Sequence, residues 1–140
     1  MKGLYWAFLA FFLIQCSDEE VAIFESQQVQ RLITGGDEKT WILQFRSSEG
    51  VESALNCSDS IRLLMSSTSD SVSVTELLPR CTGLSDSFDS LDVGNAFVSS
   101  EDGLFTDSLL FEDGTFWIIS AISSERMSLK IDENELRFSN

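Results

Sequence analysis

A chain of 140 residues has the length of one ordinary domain. Hydrophobic residues make up 43% of it, enough for a real core, and one proline with eight glycines argues against a disordered or collagen-like chain. The net charge of −14 repels phosphate backbones and anionic headgroups, so nucleic acid and basic-patch membrane attachment are both disfavoured. Histidine is absent, which removes Ser-His and Cys-His nucleophile pairs, the usual general base near neutral pH and most zinc or copper sites.

The chain opens with Lys2 and an apolar run from Leu4 to Ile14. A bilayer span needs about 20 residues, so this run is too short to cross and matches the h-region of a secretory signal. No small-x-small cleavage site ends it. The run stops at Leu13-Ile14-Gln15-Cys16, which resembles the lipobox of bacterial lipoproteins, with Gln15 where the motif usually carries Gly or Ala. That resemblance implies a diacylglyceryl group on Cys16 and makes Cys16 the mature N-terminus. Residues 1–15 are then a signal peptide, 16–30 a lipid-anchored tether leading into a short helix, and 31–140 the folded domain. The acidic run Ser17-Asp18-Glu19-Glu20 resembles the signal that sends Bacteroidota lipoproteins to the outer face of the outer membrane, and it also reads as a solvated tether. Cysteine arithmetic agrees: of three cysteines, Cys57 and Cys81 are free to pair in an oxidising compartment, leaving Cys16 for the lipid. With no Cys-x-x-Cys and no histidine, that pair reads as structural and not redox-active.

Val21 to Ile33 has loosely helical apolar spacing, and Gly35-Gly36 is placed to end a short helix. From Lys39 the period changes to two, with Trp41, Leu43 and Phe45 on one face of a strand. Ile61 to Met65 is a short apolar run, and Val72 and Val74 alternate with serines before Pro79. Phe97-Val98 and Leu104-Phe105 flank a Ser-Ser-Glu-Asp-Gly turn, and Leu109 to Phe111 and Thr115 to Ile119 flank Glu112-Asp113-Gly114. Met127, Leu129 and Ile131 alternate, and the chain turns through Asp132 to Glu135 into Leu136 to Phe138. About eight short strands with no long helix between them predict an all-β antiparallel meander. Closure into a barrel removes the exposed edges, and a β-sandwich is the alternative.

Leu32 to Leu43, containing Gly35-Gly36 and Lys39-Thr40-Trp41, resembles the opening of lipocalin-like domains in Bacteroidota lipoproteins. Phe111-Glu112-Asp113-Gly114-Thr115-Phe116 is similar to a hairpin that recurs in them, and Met127 to Ile131 to their penultimate strand. The resemblance spans roughly residues 30 to 138 and implies a lipocalin-like barrel. It also implies that Trp41 crosses the barrel base and that Arg137 of the last strand stacks on it, although Gly36 stands five residues before Trp41 where lipocalins proper have Gly-x-Trp.

Phe45, Phe97, Phe105 and Phe116 are the candidate lining of an apolar ligand cavity, with core packing as the competing reading. Phe116 and Trp117 are consecutive, so one of them must face away from the interior. Asp86, Asp89 and Asp92 sit in a serine-rich stretch that offers oxygen ligands for Ca²⁺ but lacks an EF-hand pattern. No Gly-x-Ser-x-Gly elbow, Gly-rich phosphate loop or metal-spaced cluster is present. The expectation is therefore a non-catalytic envelope lipoprotein without cofactor or metal that binds a small apolar ligand. The alternative is an interaction module with a packed barrel and an acidic partner-binding face.

Overall fold

The computed structural model describes residues 18–81, 87–100 and 107–140. The expected signal peptide at residues 1–15 and Cys16 lie outside them. Helix α1 (Asp18–Thr34) comes first, so Asp18, Glu19 and Glu20 belong to its first turn and not to an extended tether. Gly35 ends the helix with φ +66°, a left-handed conformation that costs a glycine little. The last turn is tied off by Thr34, whose hydroxyl donates to the Gln30 carbonyl at 2.9 Å and accepts from the Gly36 N–H at 3.3 Å.

Among the described residues nine strands follow: β1 (Glu38–Ser48), β2 (Val51–Ser53), β3 (Arg62–Ser67), β4 (Val72–Pro79), β5 (Phe88–Ser100), β6 (Asp107–Phe111), β7 (Phe116–Ile122), β8 (Arg126–Ile131) and β9 (Asn134–Ser139). Every pairing is antiparallel; β1 pairs with both β2 and β3, from β3 on each strand pairs with the next, and β1 also pairs with β9, which closes the sheet. β2 and β3 lie in turn along the same edge of β1, β2 beside residues 46–48 and β3 beside residues 38–42. They share one place in the ring. The result is an eight-position closed antiparallel barrel with one helix, the lipocalin-like all-β architecture expected.

The expected meander strands are present with small shifts in their ends. Asp113 and Gly114 make the β6–β7 turn: Gly114 takes φ +87°, and the Asp113 carboxylate accepts the Thr115 N–H at 2.9 Å. The largest departure is β5. The stretch read as a serine-rich loop is strand from Phe88 onward, so Asp89 and Asp92 are ladder residues opposite Leu78 and Thr75, while Asp86 lies outside the described residues. Serine and aspartate are poor strand formers. Pairing with β4 at eight positions outweighs that preference.

Inside the ring, Trp41, Leu43, Leu63, Met65, Val72, Val74, Leu109, Ile119, Met127, Leu129 and Phe138 are buried and pack with Val29 and Ile33 of α1. Cys57 and Cys81 are joined, with their Cα atoms 5.9 Å apart. The bond ties the loop between β2 and β3 to the end of β4.

Candidate functional site

The best-built polar site closes one end of the barrel. Trp41 is fully buried, and its indole Nε1 donates to the Ile33 carbonyl at 2.7 Å, in the last turn of α1. Lys39 stands two residues earlier on the same face of β1, and its ammonium lies 4.0 Å from the centre of the Trp41 ring. That ammonium also donates to the Leu32 carbonyl at 3.5 Å and to the Ser124 carbonyl in the β7–β8 turn. A cation at a helix C-terminus complements the exposed carbonyls, and over an indole face it gains a further attraction. Gln30 completes the seam, its amide donating to Ser67 Oγ at 3.1 Å and to the Ser71 carbonyl at 3.2 Å. Among the described residues, no buried side-chain nitrogen or oxygen lacks a partner.

The cation on Trp41 is therefore Lys39 and not Arg137. Arg137 lies on the outside of β9, over the ring of Phe45 at 4.4 Å and in an ion pair with Glu135 at 3.0 Å. Register explains the exchange. Phe138 pairs with Leu43 and faces inward, so its neighbour Arg137 must face out. Because Arg137 is half exposed, Arg137→Ala is expected to cost under about 1 kcal/mol in chemical denaturation; a loss of several kcal/mol would mean it holds the closed end after all.

Burial lowers the pKa of Lys39 from its ordinary value of 10.5, and nearby Glu125 opposes the shift. The unfolded chain thus holds this proton more tightly than the fold does, so stability rises with pH between the folded-state pKa and 10.5. Denaturation of the protein beside Lys39→Met, followed through that interval, is expected to move in favour of the lysine as pH rises. A difference that moves against the lysine contradicts this sign.

The expected cavity lining is not assembled. A register shift between Leu43 and Phe45 inserts Gln44 as a bulge, and Phe45 leaves the face shared by Trp41 and Leu43 to lie beside Arg137. Phe97 and Phe116 are on the outer face, 44% and 58% exposed. Phe105 lies outside the described residues. Among the described residues, Phe111 and Trp117 face inward beside Trp41 and Phe138, and they meet edge to face at 4.8 Å between ring centres. The alternation of Leu109, Phe111 and Trp117 was available in the sequence, but the opposite phase is equally apolar there.

That opposite phase makes the second feature. Phe97 pairs with Leu110, and Leu110 with Phe116, so three exposed apolar side chains stand in one row across β5, β6 and β7. Side chains directly opposite on neighbouring strands lie about 5 Å apart, which makes the row continuous. Glu112 and Asp113 stand exposed at its end. Among the described residues, no group of three or more His, Cys, Asp or Glu is placed to hold a metal ion. No family model, curated protein or solved structure matches the chain.

Proposed function

We propose that this chain is a non-catalytic, exported cell-envelope lipoprotein, anchored through Cys16, that acts as an interaction module through the outside of its barrel. One contrast supports the outward reading over a small-ligand carrier. The interior positions are filled by Trp41, Leu43, Met65, Leu109, Phe111, Leu129 and Phe138, whereas Phe97, Leu110 and Phe116 are left in water. An eight-strand barrel is about wide enough to be filled by its own side chains. Exposing a row of large apolar groups is costly unless something covers it. Export and anchoring rest on the n-region, the h-region and the lipobox resemblance, and the acidic run after Cys16 supports the outer membrane as the location, with the domain facing outward.

The test has two arms. Membrane-extracted protein is expected to show, by native mass spectrometry, the mass of an acylated chain with no exchangeable lipid added. A bound lipid released by Leu129→Phe, which crowds the interior, would overturn the reading. In the second arm, a photo-crosslinker at Leu110 is expected to trap one defined envelope protein, and one at Ser120 none. The trapped adduct should disappear in Phe97→Ser/Phe116→Ser, whose stability should stay within about 1 kcal/mol because both side chains are largely exposed. Its persistence would exclude the apolar row as the contact.

A further inference from the structure

The β4–β5 hairpin extends past its neighbours. β5 pairs with β4 from Phe88 to Ala96 but with β6 only from Ala96 to Ser100. β6 ends at Phe111 and the chain turns back into β7, so among the described residues nothing continues the line of β6 beside residues 89–95. That edge is about 23 Å long at about 3.3 Å per residue, and an unpaired edge is a template for another strand.

Its surroundings select among possible strands. Asp92, Glu112 and Asp113 border the vacant line, all exposed, and carry no ion pair among the described residues; Asp89 is already paired with Arg80. The Asp92 carboxylate accepts the Gly94 N–H at 3.0 Å, so it is held at the edge. Leu91, 53% exposed, pairs with Glu76, which pairs with the buried Leu63, and so it lies on the inner face at the mouth. An incoming strand therefore meets Leu91 and the Arg80-paired Asp89 on one face and, on the other, the Asp92 carboxylate, unpaired with a cation among the described residues. A second copy of this chain would bring the same carboxylates, and like charges on paired strands repel.

We propose that the edge of β5 at residues 89–95, unpaired among the described residues, accepts an extended, cationic segment of a partner protein as an added strand in line with β6. The inference rests on the reading of the barrel as an outward-acting module and names the chemistry of its partner. Main-chain hydrogen bonds supply the attachment, and alternate Lys or Arg side chains opposite Asp92 and Glu112 supply the selectivity.

The probe is a nine-residue peptide alternating lysine and valine, added to the full chain and read by fluorescence anisotropy and amide hydrogen exchange. It is expected to bind, to slow exchange of amides within 89–95 about tenfold or more, and to weaken several-fold in 0.5 M salt as its charges are screened. N-methylation of alternate residues is expected to weaken it about tenfold or more, because every second N–H of an added strand enters the ladder. Asp92→Lys/Glu112→Lys should reject this peptide and accept its glutamate counterpart. Absence of binding, or binding that tolerates N-methylation, overturns the proposal. Binding that is lost in Phe97→Ser/Phe116→Ser while 89–95 exchange as in the free protein also overturns it, but leaves the outward-acting module standing. A lipid found in the interior removes that module instead.

Discussion

Replacing Trp41 by alanine is expected to cost about 3–5 kcal/mol, the range for emptying a buried aromatic site. Domains of this size are stable by about 5–15 kcal/mol, so the variant should lose roughly a third or more of the total at mid-range. Three losses coincide at this position. The cavity opens against Ile33 and Leu63, the Ile33 carbonyl loses its donor, and the Lys39 ammonium loses the indole face beneath it. Trp41→Phe separates volume from polarity. It keeps most of the packing but strands the Ile33 carbonyl, and about 1–3 kcal/mol is expected for a buried acceptor left unpaired. Its local signature should be faster amide exchange in the last two turns of α1, with β6 to β8 unchanged. Equal exchange in α1 and the strands would show that the helix is not held through Trp41.

The closed end shows what the sequence could and could not reveal. The helix, its glycine stop and the shared face of Trp41 and Leu43 follow from local periodicity, and the structure retains them. The cation on the indole was equally legible, since Lys39 and Trp41 are two residues apart in a strand and must share a face. Resemblance pointed instead to Arg137, whose direction depends on register with β1, a long-range property. Phe45 was misplaced for a related reason: Gln44 carries no mark of a bulge, yet one inserted residue reverses the phase of the strand beyond it. At Phe97-Val98, Leu109-Leu110 and Phe116-Trp117 both phases are apolar, so alternation shows a strand without showing which side faces the core. The outcome was decided by packing. Phe111 and Trp117 fill the interior against each other, and Phe97, Leu110 and Phe116 are left outside. The acidic serine stretch before Phe97 hid the first half of β5 altogether, because its strand character comes from β4 and not from its own residues.

Removing the Cys57–Cys81 bond by Cys57→Ser/Cys81→Ser is expected to destabilise the protein by roughly 3 kcal/mol, the chain-entropy value for a closed loop of about 25 residues. Reduction of the unmutated protein should give the same loss, since both cysteines are exposed and open to a reductant. The loss should be unevenly distributed. The bond fastens the segment between β2 and β3, including the turn at Cys57–Asp59, to the chain just after β4. Leu55 and Ile61 on that segment pack against the core, and Asp59 reaches Arg46 at 3.7 Å. Without the bond these contacts must hold the segment alone, and an ion pair this exposed adds little. Amides of residues 54–61 should therefore gain exchange beyond the roughly 3 kcal/mol that lost loop closure removes from every amide exchanging by global unfolding, those of the β1–β9 closure and the Trp41 seam included. The β4–β5 arm retains its own ladder and the Arg80 N–H bond to the Ser87 carbonyl at 2.9 Å, so peptide addition at 89–95 should survive the double substitution with little loss of affinity. If residues 54–61 gain no more exchange than the strands, the bond acts through the unfolded state alone, and the mouth segment has no independent mobility for it to restrain.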